Sequence, residues 1–226
     1  MNSVSQPLTD PNEWWKEYDS SYAGRTWKDY RYLLAEVVRH AESLPILDVG
    51  CGYGYLLECG RNLGVTTIGL EASADAIQKC KQLHPNVDIR LWKSSEKLPV
   101  DDASIGGVVI NEVVDHISMD DNAMLFQEIH RVLKPRGIAI VKSPSRYNRE
   151  ETDKGHISFF SPREMKDFVS SAGFEVIEQP FVPLTIFGTS RLSRMLLRGL
   201  AKCFGTDRYS ARIDLVARKN QKTRNN

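Results

Sequence analysis

No apolar run in these 226 residues approaches the roughly 18 needed to cross a membrane as a helix. Cysteine is scarce as well. Cys51, Cys59, Cys80 and Cys203 fall at no metal-ligand or disulfide-framework spacing, so they read as free thiols of a reducing compartment. The opening stretch, MNSVSQPLTDPNEWW, has no basic start with an apolar core behind it. That argues against a secretory leader and makes a cytoplasmic protein the expectation. Internal repeats and low-complexity tracts are missing too. What remains is an ordinary globular composition, 41% hydrophobic and 26% charged, long enough for one sizeable core and short for two. The sequence predicts a single domain over residues 1–219 and a disordered tail over 220–226.

Net charge is also nearly absent, at +1, but the small total conceals a polarity. Residues 183–226 carry ten Lys and Arg against Asp207 and Asp214, a balance of +8, which leaves the rest of the chain at −7. One end is thereby suited to an anionic surface, or is simply solvated.

After Pro45, apolar runs of strand length recur: Ile46–Val49, Val65–Leu70, Val87–Trp92, Ile105–Ile110, Gly137–Val141, Phe174–Ile177 and Arg212–Ala217. Amphipathic stretches such as 73–83 and 120–133 separate most of them. Residues 12–43 read as two helices, the second placing Leu33, Leu34, Val37 and Val38 at helical spacing. Strands alternating with helices predict an α/β fold, a doubly wound, mostly parallel sheet with helices on both faces. Lys134-Pro135-Arg136-Gly137 should stop one helix and start a strand. Ser161-Pro162-Arg163-Glu164 has the form of a capping box, and Ala172-Gly173 closes the helix it opens.

The run ILDVGCGYG, Ile46 to Gly54, ends the first strand in three alternating glycines. In such a sheet, ligands sit at the carboxyl ends of the strands. Glycine there lets the backbone come closer than a Cβ would permit. The dinucleotide fingerprint G-x-G-x-x-G would need a glycine where Tyr55 stands, and no G-K-[ST] follows, which removes the phosphate-binding P-loop. Asp48 would repel a pyrophosphate and favour a cation. Glu71 ends the next strand, 21 residues after Gly50, at the position that accepts hydrogen bonds from ribose hydroxyls. A nucleoside with a bare ribose, no phosphate and a positive centre describes S-adenosylmethionine.

Taken together, ILDVGCGYG at 46–54, GLEAS at 69–73, EKLPVDDASIGGVVINEVVDHI at 96–117, EIHRVLKPRGIAIV at 128–141 and SPREMKDFVSSAGFEV at 161–176 resemble the class I S-adenosylmethionine-dependent methyltransferases. The similarity is to their small-molecule group with VLDVGCGxG and LEHI-type motifs. It implies a Rossmann-like sheet of seven strands whose last strand is antiparallel. A helical N-terminal lid would span 1–43, and a helical insertion 183–211 would lie between strands six and seven. It also implies a cofactor site, with S-adenosylhomocysteine as product, at Asp48, Gly50, Cys51, Gly52, Gly54, Glu71, Ala72, Ser94, Ser95, Asn111 and Glu112. Gly50 and Gly52 would meet the methionine moiety and Glu71 the ribose. Ser94 stands where the family has an aspartate for the adenine amino group, and a hydroxyl is the weaker acceptor. In relatives the N-terminal segment lids the cofactor. Here it holds Trp14, Trp15, Tyr18, Tyr22, Trp27 and Tyr30, and Tyr22 is a further candidate contact.

Methyl transfer from a sulfonium is an in-line displacement whose leaving group departs neutral. Alignment supplies much of the rate, and a base is needed only where the acceptor carries a proton to lose. Two histidines suit that task, His116 after the fourth strand and His156 in KGHISFFS after the fifth. Glu112, Asp115 and His116 stand at i, i+3 and i+4, which on a helix places all three on one face. The E-x-x-[DE]-H pattern is similar to one that ubiquinone-pathway O-methyltransferases associate with a metal. A divalent metal is therefore an alternative role for these residues, not the favoured one.

The D/N-P-P-Y/F element of base-amine methyltransferases is missing, since NEVVDH occupies its place, and with no RNA-binding module the reading excludes nucleic acid. Across residues 189–204, Arg191, Arg194, Arg198 and Lys202 share one helical face, opposite Leu192, Leu196, Leu197, Leu200 and Phe204. Such a helix suits peripheral contact with an anionic membrane, or packing of its leucine face on protein. The expected function is methylation, at a hydroxyl, of a small or lipid-linked molecule. C- or N-methylation and a non-catalytic cofactor-binding module are the alternatives, and oligomeric state is open.

Overall fold

The computed structural model describes residues 24–148, 155–180, 182–183 and 210–220. Tyr22, the first part of the expected lid, the basic stretch 189–204 and residues 221–226 of the tail lie outside the described residues. Seven strands build one sheet: β1 Ile46–Val49, β2 Thr67–Glu71, β3 Asp88–Leu91, β4 Ile105–Asn111, β5 Leu133–Pro144, β6 Phe174–Glu178 and β7 Ser210–Lys219. Their order is 3-2-1-4-5-7-6. The first five run parallel, and β7 pairs antiparallel with both β5 and β6. A two-residue strand, Val182–Pro183, adds to the ladder at the start of β7. The expected mostly parallel sheet with an antiparallel final strand is thus what folds. Because β1 to β5 are parallel, the residues that follow them gather along one sheet edge.

Strict alternation sends each strand's side chains to two faces. Ile46, Val109, Ile138, Ile140 and Val216 join Leu33, Leu34 and Val37 of α1 (Arg31–His40) and Leu56 and Cys59 of α2 (Tyr55–Leu63). The intervening residues, among them Leu47, Val49, Val108, Ile110, Val141 and Leu215, meet α4 (Met119–Val132) and α5 (Pro162–Ser171) on the other face. Helix α3 (Ala74–Leu83) covers the β2–β3 side, where Cys80 packs with Leu57 and Ile89. Val38, expected on the buried stripe of α1, is exposed. The stripe is narrower than the sequence spacing suggested.

Helix starts follow their local chemistry. The Ser73 and Ser118 side chains accept hydrogen bonds from Ala76 N and Asp121 N. The Ser161 hydroxyl accepts from Glu164 N at 3.1 Å while Glu164 Oε2 accepts from Ser161 N at 2.7 Å, the reciprocal pair expected of that motif. Ser161→Ala should cost about 1 kcal/mol in urea unfolding, and an unchanged midpoint would contradict the capping role. One boundary differs from expectation. α4 stops at Val132, and β5 begins at Leu133 rather than at Gly137. Pro135 is tolerated because the ladder with β4 breaks there, between the Ile105 and Gly107 pairs, with Arg136 at φ +63° taking the bend.

Candidate active site

Gly50, Gly52 and Gly54 all adopt left-handed φ, at +71°, +55° and +75°, the region where a side chain is strained. Space is short as well. A Cβ on Gly50 would fall 2.4 Å from Val113 Cγ2, and one on Gly54 would fall 2.4 Å from Cys80 Sγ. The glycines therefore serve packing of the turn itself, in addition to any ligand's approach. Leu70 O accepts from both Gly50 N and Cys51 N, at 2.8 and 3.0 Å, tying the turn to β2.

Glu71 closes that arrangement. Its Oε2 accepts from Gly52 N, and its Oε1 accepts from Ala72 N and Ser73 N, each at 2.9 Å. The carboxylate that the sequence assigns to a ribose thus also holds the glycine turn against the end of β2. Asp48 shares its face of the sheet and is buried, at 6% exposure. Burial, with Glu71 beside it as the second cause, pushes the Asp48 carboxyl up to about 8. The negative charge expected at Asp48 is therefore only partly present at neutral pH without a cationic ligand.

This has a measurable consequence. A carboxyl whose folded pKa is raised contributes its stability in full below its unfolded value of about 4, and that contribution is lost as pH rises through about 8. Asp48→Asn should therefore flatten the loss of stability of the cofactor-free protein over that window. Urea unfolding at several pH values measures it, and an identical pH dependence in the variant would contradict the assignment.

The remaining expected cofactor residues line the same edge. Ser94, half-buried, and Ser95, exposed, form the turn after β3. Asn111 ends β4, and Glu112 follows it at φ +57°. Here the structure corrects the sequence reading. Residues 112–118 form a turn, not a helix, so Glu112, Asp115 and His116 do not share a face. Glu112 instead forms an ion pair with Arg212 of β7.

In its place comes His156. Its Nε2 lies 3.0 Å from Asp115 Oδ2, and His116 Nε2 lies 3.5 Å from the same oxygen. The two imidazole rings meet edge to face, with centroids 4.6 Å apart. Asp115 O accepts from Ile157 N at 2.8 Å and Ser158 N at 3.1 Å. Those bonds pin the loop after β5 onto the turn after β4, which lies far earlier in the chain. Burial alone would push the Asp115 carboxyl up, but His156 and His116 outweigh it and hold it below its ordinary value. Burial holds His116 below the usual histidine value, against the opposing pull of Asp115.

Comparison with known proteins agrees with this fold. The family described as "Methyltransferase domain" matches residues 47–141. A probable S-adenosylmethionine-dependent methyltransferase of Mycolicibacterium smegmatis is 27% identical over 174 residues, 75% of this chain and 62% of its own length. The ubiquinone biosynthesis O-methyltransferase of Bartonella tribocorum is 28% identical over 158 residues, 61% of this chain and 63% of its own length. The chain thus spans under two thirds of these curated relatives. A crystal structure of a SAM-dependent methyltransferase from Archaeoglobus fulgidus superimposes with a TM-score of 0.67, at 18% identity, covering 91% of this chain and 99% of the other.

Residues 47–141 match a methyltransferase domain, and the sheet they belong to has the fold of S-adenosylmethionine-dependent methyltransferases.

Two features of the methyltransferase domain were not legible beforehand. Lys142 of β5 is buried between Glu36 of α1, at 3.0 Å, and Asp214 of β7, at 3.3 Å. With Arg212 and Glu112 it forms a band of charge beside the site. A lysine inside the apolar run IAIVKS and an aspartate inside RIDLVA were the available signal, because a charge buried in a strand needs an opposite partner. Trp27 and Tyr30, expected as lid aromatics, pack against α1 and α2. Tyr30 stacks on Tyr55 with centroids 5.7 Å apart.

Proposed function

We propose that the protein transfers the methyl group of S-adenosylmethionine to a hydroxyl of a small or lipid-linked molecule. The observation that carries this reading is the buried Asp115 carboxylate with two imidazoles against it, at the sheet edge where the glycine turn also lies. A neutral amine attacks through its own free electron pair and needs no such group for that step. A hydroxyl must lose a proton.

In this account Asp48, Gly50, Cys51, Gly52 and Gly54 receive the methionine end. Glu71 and Ala72 hold the ribose, Ser94 and Ser95 take the adenine, and Asn111 and Glu112 border the methyl. The acceptor oxygen attacks the methyl carbon as the carbon–sulfur bond breaks with its electron pair going to sulfur. The hydroxyl proton passes to His156, with His116 as the second candidate, and the Asp115 carboxylate stabilises the imidazolium formed. Alignment of oxygen, methyl and sulfur supplies most of the acceleration. Ile157 and Phe159, exposed beside His156, give the entrance an apolar rim suited to an acceptor with an apolar body. The ubiquinone-pathway name of one relative points the same way.

A lipid-linked acceptor would be met from the surface, since no helix among the described residues is long and apolar enough to cross a membrane. Flotation of the full chain with anionic liposomes tests peripheral contact through residues 189–204. Failure to co-float removes that part of the proposal. Incubation with S-adenosylmethionine and a panel of phenols and alcohols tests the rest. The expected result is S-adenosylhomocysteine release coupled to a one-methylene mass gain on oxygen. Methylation of nitrogen or carbon only would contradict it.

A further inference from the structure

Basic side chains along the β5–β7 part of the ligand edge are held in different ways. Lys142 is buried between Glu36 and Asp214, so the fold itself encloses its charge. Arg146, just past β5, pairs with Glu164 near the start of α5. Arg212 differs from both. It stands opposite Pro144, the last residue of β5, in the ladder with β7, and its guanidinium reaches across to the Glu112 carboxylate in the turn after β4. The two side chains are 32% and 35% exposed. An ion pair that open to water contributes little to stability, so a competing anion can replace Glu112 at small cost. Glu112 also stands at φ +57°, a strain of the kind that collects at ligand clamps.

The turn that Arg212 meets is also the one that holds the proton acceptor. Glu112 and Asp115 are three residues apart, which keeps their Cα atoms within about 11 Å, and His156 lies against Asp115. A cation and a base therefore flank one turn. The sequence nearby has the same sign. Residues 183–226 carry ten Lys and Arg against two Asp, and the pairing of Val182 with Arg212 and Pro183 with Ser210 roots that stretch at this edge. A field of one sign raises the local concentration of ligands of the other.

We propose that Arg212 binds the acceptor, receiving a carboxylate carried by the same molecule whose hydroxyl is methylated. This rests on the hydroxyl reading of the site and narrows it to a hydroxy acid. The planar guanidinium offers a carboxylate two parallel N–H donors. Glu112 holds that place until the acceptor's carboxylate displaces it. A neutral acceptor of the same shape leaves the Arg212–Glu112 pair as it stands and gains nothing from it.

The test uses acceptors paired to differ only in that group: meta- and para-hydroxybenzoate, para-hydroxyphenylpropanoate and an ω-hydroxy fatty acid, each against its primary amide. Calorimetry measures their binding to the full chain saturated with S-adenosylhomocysteine, and steady-state kinetics measures turnover with S-adenosylmethionine. The expected result is an acid bound at least about 10-fold more tightly than its amide. Arg212→Met should remove that preference and Arg212→Lys keep part of it, with the loss appearing in KM for the acid rather than in kcat. A thermal melt reports whether each variant is folded. No preference for any acid over its amide, or a preference that survives Arg212→Met, overturns the proposal. If hydroxyls are methylated equally well with and without the carboxylate, this inference falls and the proposed function stands. If acids bind through Arg212 but no hydroxyl is ever methylated, the function falls and the anion site stands.

Discussion

Glu71→Ala is expected to lower affinity for S-adenosylhomocysteine by at least about 100-fold. Two charge-assisted hydrogen bonds to the ribose, at about 1.5–3 kcal/mol each, account for that loss. A second effect adds to it. The same carboxylate accepts from Gly52 N, Ala72 N and Ser73 N, so alanine also releases the turn that the ligand must meet. Glu71→Gln separates the two contributions. It keeps the volume and one acceptor oxygen and should retain more of the binding than alanine does. Calorimetry gives both affinities, and a thermal melt shows how much of the change is in the fold. Unaltered affinity in Glu71→Ala would remove the ribose assignment.

His156→Ala is expected to reduce kcat for a hydroxyl acceptor by about 10²–10⁴-fold while leaving S-adenosylhomocysteine affinity as it was. The split follows from position. His156 comes from the loop after β5 and meets Asp115, whereas the glycine turn and Glu71 lie at the ends of β1 and β2. His116 cannot simply take over, because burial holds its pKa below the usual histidine value, making it a weaker base. Steady-state kinetics at several pH values checks this. Full kcat in the variant would remove His156 from the reaction, and a loss of cofactor affinity equal to the loss of rate would give it a structural role only.

The parts of this molecule legible in its sequence are those set by local chemistry. Alternation fixed the strands, Ser161 and Glu164 fixed a helix start, and the spacing of Gly50, Gly52 and Gly54 marked the left-handed turn after β1. Each of these depends on residues close together in the chain. What could not be read depends on contacts made across it. Glu112, Asp115 and His116 have helical spacing, but the left-handed backbone at Glu112 breaks the helix that the spacing requires. Arg212, 100 residues later, then draws Glu112 away. His156 reaches Asp115 only because β5 returns the chain to the edge beside β4. Asp48 reads as a charge in the sequence, and only its burial next to Glu71 shows that its carboxyl is held well above the ordinary carboxylate range.

The account stands on one spatial relation, the cofactor's methyl lying between the Glu71-anchored turn and the Asp115 cluster. A crystal of the full chain soaked with S-adenosylhomocysteine measures it directly. The predicted result is both ribose hydroxyls on the Glu71 carboxylate, the amino-acid end over Gly50 and Gly52, and the sulfur open toward His156 and His116. A crevice that stays empty, takes up a dinucleotide, or holds the ligand with its sulfur turned from those histidines would contradict the account.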